Sequence, residues 1–295
     1  MRMRPAARTF IRHSLFTNRP LRLYGMGKIR IMYLVIRFIC LVVLCANLLA
    51  QNPVEKVRAI RAAAEQGEPK GQYTLGMLYR FGIMVPQDDA AANKWLLKSA
   101  EQGNAEAQNA VGMMYDGGLG VEKDYVQAAK WYRKSADQGL AEAQGTLATM
   151  YAEGLGVQKD EAEASKWHLK AAEQGEGKSQ FNLGVRYQKG RGVTQDDKEA
   201  LKWYRRAADQ GQVAAQFNLG VMYYNGQGTA RDLFEACVWW KIAEKSGDFR
   251  VSNNLREVMS KLSKEEVRRA LEKADELAKQ IARRVEEESN TSSFR

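Results

Sequence analysis

Apolar, small and polar positions along this chain follow a pattern that helices explain and strands do not. Gln72, Leu75 and Tyr79 stand three and four residues apart and are followed by Gly82. That spacing predicts a short first helix over about 72–80, closed by a glycine free to take positive φ. A second helix is expected to begin at Asp88, whose carboxylate can accept hydrogen bonds from the unpaired N–H groups of the first turn and meets the positive end of the helix dipole. It carries alanine, tryptophan and alanine at helical spacing, as in Ala128, Trp131 and Ala136 or Ala200, Trp203 and Ala207, and it stops at Gly139 or Gly211.

The pair of helices then repeats. Glu/Asp-Gln-Gly recurs at 65–67, 101–103, 137–139, 173–175 and 209–211, a period of 36 residues, and Gly247 keeps the register once more. Five units result, 68–103, 104–139, 140–175, 176–211 and 212–247. Their fixed columns are Gln72, Gln108, Gln144, Gln180 and Gln216; Tyr79, Tyr115, Tyr151, Tyr187 and Tyr223; Gly82, Gly118, Gly154, Gly190 and Gly226; Asp88, Asp124, Asp160, Asp196 and Asp232; and Trp95, Trp131, Trp167, Trp203 and Trp239. Three residues after the aspartates stand Gln127, Glu163, Glu199 and Glu235, the partners of a capping box, and only Ala91 breaks the rule. Gly112, Gly184 and Gly220 fall inside the first helix, where glycine is about 1 kcal/mol worse than alanine. They are read as places where a neighbouring helix backbone passes too close for a side chain, with Ala148 the next size tolerated. One helical pair cannot bury its apolar face alone, whereas stacked pairs bury a continuous ribbon, so the fold class is all-α, an αα solenoid.

These columns resemble the Sel-one-like repeat, a relative of the tetratricopeptide repeat, throughout residues 68–248. The resemblance is densest in Val111, Gly112, Tyr115, Gly118, Gly120, Val121, Asp124, Ala128, Trp131, Tyr132, Ala136, Gln138 and Gly139, and again from Leu183 to Gly211, including Gly184, Tyr187 and Trp203. Gly220, Tyr223 and Trp239 repeat it in the last unit. Departures are local: Met84 replaces the loop glycine of Gly120, Gly156, Gly192 and Gly228, Thr229 replaces a valine, and Leu96 and His168 stand where the family has tyrosine, on what is read as a surface column. The resemblance implies a right-handed superhelix acting as a scaffold or adaptor that holds a peptide or partner protein in signalling, envelope or secretion contexts.

Both ends break the period. Residues 51–67 read as the second helix of an incomplete unit, capping the solenoid, and 249–288 as C-terminal capping helices before a disordered tail over 289–295. Ser263 and Glu266 form a further capping box, opening a helix to about Arg284 whose apolar residues are Val267, Leu271, Ala274, Leu277, Ile281 and Val285. The expected role of that stripe is to lie on the last repeat of a monomer; the alternative is dimerisation through it.

Charge changes the picture only at the N-terminus. Arg2, Arg4, Arg8, Arg12, Arg19, Arg22, Lys28, Arg30 and Arg37 leave just +1 of the net +10 for residues 38–295. The basic balance is therefore no argument for nucleic-acid binding by the solenoid, and none is expected. Phe38 to Ala50 is uncharged and mostly apolar and is followed by Gln51, Asn52 and Pro53. Basic region, apolar region and polar exit in that order describe a signal peptide cleaved near Ala46 or Ala50, giving a periplasmic or secreted protein. The alternative is an uncleaved signal anchor holding the solenoid outside the cytoplasm at the inner membrane, and Met1, Met26 and Met32 are the alternative translation starts. Val43 and Leu44 before Cys45 argue against lipidation, and cleavage leaves Cys237 as the lone cysteine, so no internal disulfide is expected.

Catalytic chemistry is not expected. His13 lies in the leader and His168 has no second histidine to form a metal site with, nor a Cys–His pair. The recurring acids serve as helix caps, and no phosphate loop, Gly-x-Ser-x-Gly elbow or Ser-x-x-Lys pair occurs. That last absence bears on cysteine-rich relatives labelled β-lactamase-like, the remotest of the functions weighed. No cofactor and no metal is expected. A binding face is better supported. One variable first-helix column holds Tyr73, Asn109, Gly145, Phe181 and Phe217, and the next Thr74, Ala110, Thr146, Asn182 and Asn218. Asn182 and Asn218 can fix an extended backbone through their amides while Phe181 and Phe217 supply apolar contact; equally, the phenylalanines can pack between repeats. Arg186 is the only charge in a column of Leu78, Met114, Met150 and Met222. In a groove it meets a ligand carboxylate; in a core its stem must carry the charge to solvent. The functional expectation is a non-enzymatic exported scaffold that binds a protein or peptide in the first-helix groove, with a structural or immunity-type envelope protein using its convex face and C-terminal helix as the alternative.

Overall fold

The structure is a computed structural model that describes residues 53–292, with side chains through Glu287. The leader with its signal, anchor and start-site readings, and residues 293–295, lie outside the described residues. Helix α1 (Pro53–Glu65) is followed by five pairs: α2 (Pro69–Phe81) and α3 (Asp89–Glu101), α4 (Ala105–Gly117) and α5 (Tyr125–Asp137), α6 (Ala141–Glu153) and α7 (Glu161–Glu173), α8 (Gly177–Lys189) and α9 (Asp197–Asp209), α10 (Val213–Asn225) and α11 (Leu233–Lys245). A short 3-10 turn, Phe249–Val251, leads into α12 (Ser252–Lys261) and α13 (Lys264–Ser292). From α1 to α12 each helix packs on the next in chain order, which makes the αα solenoid, and α13 turns back onto α11. First helices begin about three residues earlier than expected, and α13 runs to Ser292, through most of the segment expected to be disordered.

Every aspartate of the cap column accepts a first-turn N–H, from Ala91 at 2.9 Å in the first unit to Glu235 at 2.9 Å in the last. The reciprocal half of the box is a correction. The cap residues' own N–H groups donate to the carbonyls of Tyr79, Tyr115, Tyr151, Tyr187 and Tyr223 at 2.8–3.0 Å, so no side chain is needed there. Glu163 and Glu199 hold Lys166 and Lys202 instead. Among the described residues only Ser263 and Glu266 form the full box, with Ser263 N–H donating to the carboxylate at 2.8 Å and Glu266 N–H to the hydroxyl at 3.2 Å.

The invariant glutamines form a lattice between units. Gln72, Gln108, Gln144, Gln180 and Gln216 each donate to the alanine carbonyl eight residues earlier, at the end of the preceding second helix, at 3.0–3.3 Å. Four of them accept in turn from Gln102, Gln138, Gln174 and Gln210, at 2.7–3.1 Å. This is why the period carries Gln before Gly. The fifth unit has Ser246 there, and the side-chain oxygen of buried Gln216 is left without a partner. Supplying the missing donor by Ser246→Gln is expected to raise stability by about 1 kcal/mol, read as a higher urea midpoint with an unchanged slope.

The column Leu96, Tyr132, His168, Tyr204 and Trp240 is 0–3% exposed, which corrects its assignment as a surface column. The amphipathic pattern hid it because tyrosine and histidine are polar by composition, yet here their rings face inward. It also corrects the reading of the helix glycines. A Cβ at Gly112, Gly184 or Gly220 would stand 2.8, 2.7 and 2.3 Å from the rings of Tyr132, Tyr204 and Trp240, so the glycines admit an aromatic ring of the paired helix and not a helix backbone.

The loop glycines set the seam between units. A Cβ at Gly120, Gly156, Gly192 or Gly228 would lie 1.9–2.3 Å from the first backbone carbonyl of the preceding second helix. Met84 at the same column carries φ 59, the left-handed backbone without the glycine.

Lys94, Lys130, Lys166 and Lys202 stand exposed on the outer face of α3, α5, α7 and α9. A turn later Lys98, Lys134, Lys170 and Arg206 lie over Trp95, Trp131, Trp167 and Trp203. In α11 those two columns become Val238 and Ile242, both at most 1% exposed, and α13 covers this helix with Ala270, Ala274 and Ile281. Desolvating lysines would be costly, so the apolar stripe of α13 has its seat on the fifth unit. The ion pair of Lys245 with Asp275 and the contact of Lys273 with Glu235 flank that seat.

Candidate functional site

The first helices carry the candidate residues on one face, and the structure separates them. Tyr73, Phe181, Asn182, Phe217 and Asn218 are partly exposed, while Asn109 is 5% exposed with its side-chain oxygen unpaired. A Cβ at Gly145, in the same column, would meet Ser179 Oγ at 2.8 Å, so this column borders the start of the following first helix. The phenylalanines are held by aromatic and cationic neighbours. Phe181 sits 5.8 Å from the Tyr204 ring, and Phe217 lies beneath the Arg250 guanidinium at 4.9 Å while its carbonyl accepts the Trp240 indole N–H at 3.1 Å. Each keeps an outer edge in contact with solvent.

The Tyr204 hydroxyl beside Asn218 donates to Gln188 Oε1 at 2.9 Å, and burial pushes its pKa up to about 12. Asn182 stands one unit earlier, at the corresponding position of α8. Spacing four residues further along the same face would have found another column, Met77, Met113, Thr149, Val185 and Val221, all at least partly exposed. With Phe181 and Phe217 they give the first-helix face an apolar strip bordered by amides.

Arg186 does not belong to that face. It is 5% exposed, like its column mates Leu78, Met114, Met150 and Met222. It neither reaches solvent nor awaits a ligand: Nη1 and Nη2 donate to Glu161 Oε2 at 2.7 and 2.9 Å. Burial holds the guanidinium pKa below its usual value even with the carboxylate beside it.

His168, 3% exposed, has Nδ1 3.1 Å from Ser179 Oγ, and burial with the nearby Arg186 charge pushes its pKa down to about 3. The ring is therefore neutral at pH 7. Cys237 is buried and free, its thiol pushed up to about 11 by burial, which makes it unreactive. Among the described residues no cluster of three or more histidine, cysteine or acidic side chains is placed to hold a metal ion, and no helix is long and apolar enough to cross a membrane.

A search of curated proteins finds no match. Among solved structures, a Sel1 repeat protein from Oxalobacter formigenes is 35% identical over 72% of this chain and 88% of its own, with a TM-score of 0.62. A protective antigen present in uropathogenic Escherichia coli strains, described as displaying an SLR fold, is 32% identical with a TM-score of 0.53; the match covers 81% of this chain and 58% of that protein. The family model of the Sel1 repeat matches residues 69–104, 105–140, 141–176, 177–212 and 213–248 in unbroken succession. Matched over most of its length by five consecutive units, the chain belongs to the Sel1 repeat family.

Proposed function

We propose that this protein is a non-enzymatic scaffold that holds an extended polypeptide along its first-helix face, anchored at the fourth and fifth units. The observation that carries this reading is the half-exposed strip of Phe181, Val185, Phe217 and Val221 beside Asn182 and Asn218, equivalent positions one repeat apart. Apolar side chains of a ligand would lie on the strip, and the amides would bond its backbone. The fixed spacing selects a ligand with contacts at matching intervals. The leader's basic and apolar regions support export, and the solenoid would then work outside the cytoplasm, free or held at the inner membrane.

The test is a crosslinking pull-down from native envelope extract with the full chain and with a Phe181→Ala, Asn182→Ala, Asn218→Ala variant, after circular dichroism shows that both fold. A partner captured by the parent and lost by the variant is the expected result. Equal capture sinks this site and moves the function to the convex face or α13. Export has its own readout: a C-terminally tagged chain in the periplasmic fraction at the mass of residues 47–295 or 51–295 supports cleavage, whereas full mass in the soluble cytoplasmic fraction sinks it.

A further inference from the structure

The boundary between the third and fourth units differs from every other in the solenoid. At three columns it places an imidazole, a hydroxyl or a guanidinium where the other units have aliphatic, aromatic or small side chains. His168 replaces Leu96, Tyr132, Tyr204 and Trp240; Ser179 replaces Gly71, Ala107, Ala143 and Ala215; Arg186 replaces Leu78, Met114, Met150 and Met222. All three are at most 5% exposed, and across α7 and α8 His168 bonds Ser179 while Arg186 bonds Glu161. The apolar core changes at the same place. One cluster of buried residues ends at Trp167 and another begins at Ala200, with the smaller group of Ala172, Leu183 and Trp203 between them and Phe181, Val185 and Tyr187 of α8 packed on the second.

We infer that this boundary is a joint that opens in acid, with His168 as its proton-sensitive element. Burial of an aliphatic or aromatic column is indifferent to mild acid, and at the end of α9 burial raises the Asp209 carboxyl pKa, so a proton taken up there favours the closed state. Here closure requires a neutral imidazole. The charged group that acts on His168 is Arg186, from α8. Arg186 in turn faces Glu161 from α7, with Arg191 nearby, and Glu176 binds the Ser179 backbone N–H at the start of α8. An imidazolium at this place would put a second cation beside a buried guanidinium whose carboxylate is already engaged.

The sign follows from linkage. A histidine whose folded pKa lies below the ordinary value near 6.5 favours the closed seam fully above that value. Below it the opened state takes up the proton and the closed one does not, so the opening constant rises about tenfold per pH unit until the closed-state pKa is reached. Between pH 7.5 and 5.0 the rise is about thirtyfold. Opening would change how units one to three are placed relative to units four and five, and thus the course of the first-helix face. The inference does not depend on that face binding anything.

Hydrogen exchange of the full chain, corrected for the intrinsic pH dependence of exchange and measured where closing outpaces exchange, reads the joint directly. The expected result is an opening constant about thirtyfold larger at pH 5.0 than at pH 7.5 for amides of α7 and α8, with α4 and α5 changing several-fold less. His168→Leu, and the triple variant His168→Leu, Ser179→Ala, Arg186→Met that restores the apolar columns, are expected to remove the local excess. Equal acid response in all helices, or an undiminished excess in whichever of these variants retains the parent's circular dichroism, would overturn it.

Discussion

Gly192→Ala is expected to destabilise the solenoid by about 3–5 kcal/mol, while Gly175→Ala costs about 1–2 kcal/mol, although both glycines have positive φ, +67 and +93. The backbone strain of an L residue in this region is common to both. What differs is space. A Cβ at Gly175 meets nothing within 4 Å, whereas at Gly192 it would stand 1.9 Å from the carbonyl oxygen of Glu161, and backbone cannot yield as the tip of a side chain can. The loop must then lift away from α7 and loosen the seam between the third and fourth units. Urea unfolding followed by far-ultraviolet circular dichroism measures both. Similar losses in the two variants would show that strain, and not loop-to-helix contact, explains the column.

Glu161→Ala is expected to destabilise by about 3 kcal/mol, because it leaves the Arg186 charge buried without its carboxylate. The figure sits at the lower end for a broken buried pair since the Glu161 side chain is 36% exposed against 6% for Arg186. Arg186→Met, which restores the residue that Met114, Met150 and Met222 supply in other units, is expected to be neutral or stabilising by about 1 kcal/mol, since no desolvated charge remains. In that background Glu161→Ala should lose most of its effect, and the difference between the two backgrounds gives the coupling. A full loss from Glu161→Ala in the Arg186→Met protein would mean that Glu161 acts through the first turn of α7 and not through the ion pair.

The fold was legible because five copies of one unit let each column be compared with itself. Cap aspartates, terminal glycines and the tryptophan column each occupied a position whose backbone or packing demand is local, so their residue types disclose it. The candidate site was legible only in part. Phe181 and Phe217 pack against the buried core and keep an exposed edge, a compromise that variability along the column does not distinguish from a free surface. Arg186 and His168 were harder still. Charge and polarity place a residue outside on average, but a partner supplied from 25 residues away, as Glu161 is for Arg186, makes the interior tolerable.

The sequence alone determined the period, the helical pair and the stacking of pairs, because these follow from interactions within 36 residues or between identical neighbours. Only the tertiary structure decided what each column touches: that the helix glycines admit rings, that the invariant glutamines bond the alanine carbonyls of the preceding unit and a second glutamine of their own, that α13 seats on Val238 and Ile242, and that three buried polar side chains line one seam. Repetition reveals which positions are constrained. The direction of a side chain, and the atom it finds there, is set by how two helices, of one unit or of neighbouring units, close on each other.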